Sequence, residues 1–443
     1  MATTRTIRRA ALIAALLAVA APAASAQSSR RSSSRSASSR RVAAKQRTVR
    51  QRAVDWPNPE KARRALSPRN FKKNIVDPAL ADAEVVAIED GREAFARGGA
   101  FGTVFKVLKS PGRFIAFRVF HPDKPSTQAA LESGKIQRRY KKLERKFDSL
   151  QKSKQMPPEL VDFEYVSRGY KVGKRTFPAI KMPWLVAQPL DSWVRGRLDS
   201  GKPEALTIMA RNWRRAMMDL ETAGVAHGDL RDANVLVEGD GTMRFVDYDA
   251  MYTEELAGDA NPEVGHPNYQ HPFYFRDGDP TSKRTYDKTI DHFSSIVIYL
   301  SLLAVAEDPG LWERHNDDFQ LIFSKEDLAD PDNSPVFQEL VGSQNATVRK
   351  LAVKLASYAK GPPDQVPSLE QALGGRTSRK PAFGRRETGG VLVDDQVTAE
   401  AGGTPMLAKR VGLRSRRALG SARTGDSVRA ASKEEEGNGS GEA

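Results

Sequence analysis

The spacing of apolar and polar positions changes period along this 443-residue chain. Val104 to Leu108 and Phe114 to Phe120 are short apolar runs, each broken by one basic residue, that read as strands. A strand's period of two puts Ala116 and Arg118 on one face of the second. From Leu206 the apolar positions recur at three- and four-residue steps through Met209, Trp213, Met217 and Leu220, which predicts an amphipathic helix. Val235-Leu236-Val237 and Met243 to Val246 flank Glu238-Gly239-Asp240-Gly241, and an Asp-Gly pair between short apolar runs predicts a hairpin. Phe293 to Ala306 is apolar nearly all round but too short to span a bilayer, so it reads as a helix at the centre of a core. Asp327 to Leu373 also reads as helical.

The hairpin matters for what it carries at its open end. There it sets Asn234 beside Asp247, a carboxamide and a carboxylate. Both are hard oxygen ligands, which suit Mg²⁺ bridging nucleotide phosphates. Asp229, five residues before Asn234, is left to orient an attacking hydroxyl or accept its proton. Upstream, Arg97-Gly98-Gly99-Ala100-Phe101-Gly102-Thr103-Val104 is a glycine-rich segment leading into the first strand, and glycines let backbone amides approach phosphate oxygens.

These segments together resemble the protein-kinase-like superfamily. The pattern His227-Gly228-Asp229-Leu230 to Asn234 matches its catalytic loop, and Asp247-Tyr248-Asp249 falls on its metal-binding Asp-Phe-Gly. The closer likeness is to a bacterial Ser/Thr-kinase-like branch with His-Gly-Asp-Leu loops and an Asp-Tyr-Asp segment. The resemblance covers roughly residues 80–372. It implies an α+β, bilobal fold, with a small antiparallel β lobe at 80–182 and a larger, mainly helical lobe at 183–372. It also implies ATP and Mg²⁺ as cofactors, and γ-phosphoryl transfer to a hydroxyl, with protein Ser or Thr the expected acceptor.

Site roles follow from the same resemblance. Asp229, Asn234 and Asp247 are the catalytic set, Asn234 and Asp247 being the metal ligands. Gly99, Gly102, Val104, Arg118, Met182 and Leu185 bind the nucleotide. Met182 stands at the gatekeeper position. Leu185 offers the hinge amide because Pro183 has none. Asp291 is expected to tie the buried helix to the catalytic-loop backbone. Gly265, Pro267, Tyr269 and Pro272 fit the end of an activation segment.

The departures from the pattern are as informative as the matches. Arg118 replaces the phosphate-binding lysine, and an arginine fork is not a simple substitute. Lys106, on the preceding strand, is a surrogate phosphate lysine or a solvated strand residue. No glutamate is assignable as the partner of the phosphate-binding cation. Glu132 and Glu144 are the available carboxylates, and Gln137 sits nearest the family spacing. Gly228 replaces the arginine that anchors a phosphorylated loop, which argues against that mode of activation. His266 and Phe273 replace the family threonine and glutamate. His266 and His271 read as shaping a substrate platform rather than binding zinc. Intact Asp229, Asn234 and Asp247 favour an enzyme, whereas Arg118 and Phe273 favour a pseudokinase that senses nucleotide or scaffolds a partner. A small-molecule kinase is a third reading.

Charge changes the picture only at the N-terminus. Residues 1–54 hold twelve of the 70 basic residues and none of the 55 acidic ones, which leaves 58 against 55, a net +3, for the rest. The basic tail therefore says little about the folded surface, and no specific nucleic-acid partner is expected. Arg5, Arg8 and Arg9 precede the apolar run Ala10–Ala24 and a small-x-small site at Ala24-Ser25-Ala26, so residues 1–26 read as a signal-like or targeting segment. The arginines that follow hinder translocation, and ATP chemistry fits the cytoplasm. Export or tethering, an organelle address and a cytoplasmic location all stay open. Residues 27–79 read as a basic Ser/Arg-rich linker able to touch anionic surfaces weakly, and 373–443 as a disordered tail. Serines in both tails are available for phosphorylation. The absence of cysteine excludes disulfides and thiol catalysis.

Overall fold

In the computed structural model the strand-like runs form one antiparallel sheet with spatial order β1-β3-β4-β6-β5 and β2 paired to β3. The structure describes residues 56–375, apart from 90, 100, 101, 123, 124, 262, 277, 279–282 and 318. The six strands are β1 (Glu84–Val85), β2 (Ala96–Gly98), β3 (Gly102–Ser110), β4 (Arg113–Phe120), β5 (Glu164–Val172) and β6 (Arg175–Pro183). The targeting segment expected at 1–26, the linker up to residue 55 and the tail beyond 375 lie outside the described residues.

The sheet has two unlike faces. Phe105, Val107, Ile115, Phe117, Val119 and Ala179 are buried on one. Val104, Lys106, Phe114, Ala116, Arg118 and Met182 are half-buried on the other. The buried face is covered by a segment that the sequence reading leaves in the linker. Residues 56–79 are folded, through α1 (Pro59–Ala65), α2 (Phe71–Asn74) and a 3₁₀ turn at Pro78–Leu80. The α1 helix starts well for its seven residues: Asn58 accepts from the Lys61 amide and Pro59 occupies the first turn. Trp56, Ala62, Leu66, Phe71 and Leu80 are buried, Trp56 lies 5.4 Å from the Phe177 ring, and Lys181 Nζ on β6 reaches Asp77 at 2.6 Å. The linker boundary is thus corrected. These residues complete the sheet's core, because an open strand face this apolar needs a cover.

After β4 come α3 (Pro125–Glu132) and α4 (Lys135–Lys152). The inner stripe of α4 includes Ile136, Leu143, Phe147 and Leu150, but also Arg139 and Tyr140. Beyond β6 the chain becomes mainly helical. There α5 (Leu190–Asp199), α6 (Glu204–Ala223), α7 (His292–Glu307), α8 (Gly310–His315), α9 (Lys325–Ala329), α10 (Pro335–Val341), α11 (Ala346–Lys360) and α12 (Leu369–Ala372) follow in order. The amphipathic α6 and the apolar α7 pack together, and Trp213 Nε1 donates to the Ser295 carbonyl at 3.0 Å. No helix among the described residues is long and apolar enough to cross a membrane.

The Asp-Gly hairpin forms as β9 (Val235–Glu238) against β10 (Met243–Phe245), with β7 (Ala187–Pro189) as its third strand. A two-stranded ladder of β8 (Val225–Ala226) and β11 (Tyr252–Thr253) flanks it. The fold is thus α+β with antiparallel sheets.

Candidate functional site

The half-buried sheet face meets the hairpin, and the predicted site residues collect there. The register places Val235 opposite Phe245, and the Val246 amide donates to the Asn234 carbonyl at 3.0 Å, so Asn234 and Asp247 emerge as neighbours. Asp247 has φ 68, a left-handed conformation that a non-glycine residue rarely adopts and that often marks functional positions. Its side chain is 44% exposed toward the cleft.

Asp229 is held at both oxygens. Oδ2 accepts from Asn234 Nδ2 at 2.9 Å, and Oδ1 accepts from the His266 amide at 3.1 Å. Asn234 Nδ2 also donates to the Asp229 carbonyl at 2.8 Å, which commits the amide nitrogen and leaves Oδ1 as its acceptor. Behind the loop, Asp291 does not cap its own helix. Its carboxylate accepts from the His227 amide and, at 2.7 Å, from the Gly228 amide. His227 Nε2 donates to the Val246 carbonyl at 2.9 Å, and Nδ1 accepts from the Asp229 amide, which specifies the neutral Nε2–H tautomer.

Gly228 is required by geometry. Its φ is +83, and a Cβ there would stand 2.2 Å from the Ala250 carbonyl oxygen. No arginine fits that backbone. Arg284 ties the loop from another direction, donating to the carbonyls of Gly228 at 2.9 Å and of Val264.

Arg118 projects from β4 into this cluster. Nη1 donates to Asp247 Oδ1 at 2.9 Å and to Tyr140 OH at 3.1 Å, while Nη2 donates to Asp249 Oδ2. Asp249 also accepts from Arg139 Nη2 at 2.8 Å and from Tyr140 OH at 2.6 Å, both on α4. Neither Glu132 nor Glu144 partners Arg118: Glu144 accepts from the Tyr165 amide and Glu132 from Gln128. The carboxylate that sequence reasoning sought on the helix stands in the Asp-Tyr-Asp segment instead, and the helix supplies the second arginine. Burial alone would raise the Asp249 carboxyl, but Arg118, Arg139 and Tyr140 outweigh it and hold the group below its ordinary range. The adjacent Tyr248 is buried, and its hydroxyl accepts from the Val161 amide at 2.7 Å.

The nucleotide-side residues fall in one region. Gly99 and Gly102 close the β2–β3 hairpin through a 2.8 Å amide bond. A Cβ on Gly102 would lie 2.4 Å from the Val119 carbonyl and 3.3 Å from Arg118 Nε, so a side chain there would collide with the strand bearing the cation. Val104, Arg118 and Ile180 form one cross-sheet row, and Lys106, Ala116 and Met182 the next. The Trp184 amide is taken by the Phe114 carbonyl at 3.2 Å and Pro183 has none, so of the three residues Pro183 to Leu185 only Leu185 is left as a candidate donor to a base. Lys106 is half-buried and turned toward aromatic rings rather than toward the acids. Its ammonium lies 4.6 Å from the Phe114 ring centroid and 5.2 Å from that of Trp184.

Sequence reasoning also passed over Glu263 and Arg231. Arg231, two residues after Asp229, has Nε 3.7 Å from Asp232, and its charge helps burial lower the His266 pKa. Glu263 is pushed up to about 9, first by burial and then by Asp249, Asp247 and Asp229. It is therefore protonated in the folded protein at neutral pH, whereas the unfolded chain ionises it above about pH 4.3. Between those values the folded state binds the extra proton, so this group's effect is to lower stability as pH rises. Glu263→Gln is expected to melt higher than wild type without magnesium, by a margin that widens from pH 5.5 to 8.5. A margin constant with pH would show that Glu263 is ionised in the fold.

His271 is fully engaged, with Nε2 on the Tyr358 carbonyl and Nδ1 accepting from the Phe273 amide. His266 stacks on Phe319, a ring that is 60% exposed. Among the described residues no group of three or more His, Asp or Glu side chains converges as a metal cage. No protein-family model matches the chain, and no curated protein matches it in sequence.

Proposed function

We propose that the cleft between sheet and hairpin is the active site of an ATP- and Mg²⁺-dependent phosphotransferase of the bilobal, protein-kinase-like kind. The carrying observation is the convergence of Arg118, Asp229, Asn234 and Asp247 from three separate segments. In this reading the glycine hairpin and Arg118 hold the phosphates, and the Met182–Leu185 hinge holds the base. The donor set suits the ion: one carboxylate, one amide oxygen and substrate phosphates are how proteins commonly hold Mg²⁺, without a cage. Asn234 Oδ1 and Asp247 would hold it, and the ion would neutralise charge on the phosphates.

The hydroxyl of the acceptor gives its proton to Asp229 as its oxygen bonds to the γ-phosphorus. The bond from that phosphorus to the β–γ bridging oxygen breaks, and ADP leaves with the electron pair. His266 and Asn234 fix the direction of the Asp229 carboxylate. The exposed Phe319 ring, stacked on His266, supports a peptide Ser or Thr as acceptor, since an exposed apolar ring suits a side chain flanking the hydroxyl.

The pseudokinase reading draws on a different observation, the 2.9 Å contact in which Arg118 occupies Asp247, the carboxylate proposed to hold the ion. Calorimetry of ATP binding separates the two. Under the enzyme reading, Mg²⁺ tightens ATP binding to wild type at least tenfold, and Asp247→Asn abolishes that gain. ATP binding that ignores Mg²⁺ in both proteins favours the pseudokinase.

A further inference from the structure

The half-buried Lys106 ammonium is flanked by Phe114 at 4.6 Å, Trp184 at 5.2 Å and Phe95 at 6.0 Å, measured to ring centroids. Phe95 and Trp184 meet edge to face at 5.7 Å. The three rings come from the approach to β2, from β4 and from the segment after β6, so this box is assembled only in the fold. Ring faces attract a cation but do not accept its three N–H bonds as oxygen or nitrogen would. No hydrogen-bond acceptor or carboxylate accompanies Lys106 among the described residues, and burial lowers its pKa with nothing countering.

The box has a definite place in the cleft. Lys106 pairs with Ala116, and Ala116 with Met182, on the face from which Arg118 reaches the acids. The Lys106 row lies two residues, about 7 Å, along the strand from the Arg118 row. A phosphate group at Arg118 therefore puts the base, not another phosphate, beneath Ala116 and beside Lys106. Both purines offer N7 as an acceptor, but guanine adds O6 where adenine has an amino donor, and lysine pairs well with the O6/N7 edge.

We infer that Lys106 and its aromatic box form a base-reading subsite in which the ammonium donates to the acceptor edge of a purine, so that the cleft takes GTP at least as readily as ATP. The inference rests on the phosphotransferase reading, and its test keeps the two apart. Binding of ATP, GTP and inorganic tripolyphosphate, each with Mg²⁺, is measured on the full chain and on Lys106→Met and Lys106→Arg. The expected result is a wild-type GTP affinity equal to or above that for ATP. Lys106→Met should lose about tenfold or more for GTP, the weight of a charge-assisted hydrogen bond. Tripolyphosphate should stay within twofold, which also shows that the variant is folded, and Lys106→Arg should recover GTP binding. Unchanged GTP binding in Lys106→Met overturns the subsite and spares the phosphotransferase. So does a parallel loss of GTP and tripolyphosphate, which would make Lys106 a phosphate ligand. Failure of wild type to bind any of the three overturns both.

Discussion

Asp249→Ala is expected to cost about 3–5 kcal/mol of stability, the usual price of removing one partner from a buried ion pair. The side chains of Arg118, Arg139 and Asp249 are only 12%, 5% and 6% exposed. Without Asp249, Arg139 is left buried with Tyr286 OH at 3.2 Å, and Arg118 keeps Asp247 and the Tyr140 hydroxyl. A buried network of this kind is weak evidence for net stability, because desolvation offsets much of the attraction. Its geometry explains it better: one carboxylate joins the sheet, through Arg118, to α4, through Arg139 and Tyr140. The sign with pH follows from the depressed Asp249 pKa. The stabilisation is complete above the ordinary aspartate value of about 3.9 and is lost as pH falls through the lower folded value. Urea unfolding at pH 7 measures the cost. A change below about 1 kcal/mol would mean that the network does not hold these elements together.

Asp229→Asn should reduce the rate of phosphoryl transfer by about 10²- to 10⁴-fold, the range for a lost general base. Nucleotide affinity without Mg²⁺ should move little, because Asp229 contacts Asn234 and His266 and not the phosphate-binding Arg118. The carboxamide keeps an oxygen that can accept from the His266 amide, so the loop should stay in place. A variant with full turnover would remove Asp229 from the mechanism, and one that lost ATP binding as well would report a collapsed loop.

What could be read from the chain was local. Short apolar runs revealed β3 and β4, and a strand's period of two, which does not depend on its partners, gave the shared face of Ala116 and Arg118. The Asp-Gly turn announced the hairpin that aligns Asn234 with Asp247. The all-apolar run from Phe293 announced a buried helix, and Asp291 sits at its start. What stayed hidden was long-range. Arg118 and Asp249 are 131 residues apart, and Arg139 and Asp249 are 110 apart. Asp249 looked like a departure from a glycine position, and Arg139 like one more base on a basic helix. Their roles exist only once the sheet, α4 and the Asp-Tyr-Asp segment meet. A buried arginine inside an apolar stripe, with Tyr140 beside it, was the available signal. Residues 56–79 were misread for a similar reason: α1 and α2 are too short for a clear period, and their apolar residues make sense only against the sheet they cover. Lys106 could not be placed because Trp184 reaches it from beyond β6, far along the chain.

The most direct test of the central claim is transfer of phosphate from γ-labelled ATP by the full chain with Mg²⁺, using a generic protein substrate and the chain itself as acceptors. The account predicts labelled serine or threonine with wild type, and loss of that label in both Asp229→Asn and Asp247→Asn while both remain folded. No label on any acceptor from a wild type that binds Mg²⁺ and ATP, or equal label from wild type and both variants, would contradict it.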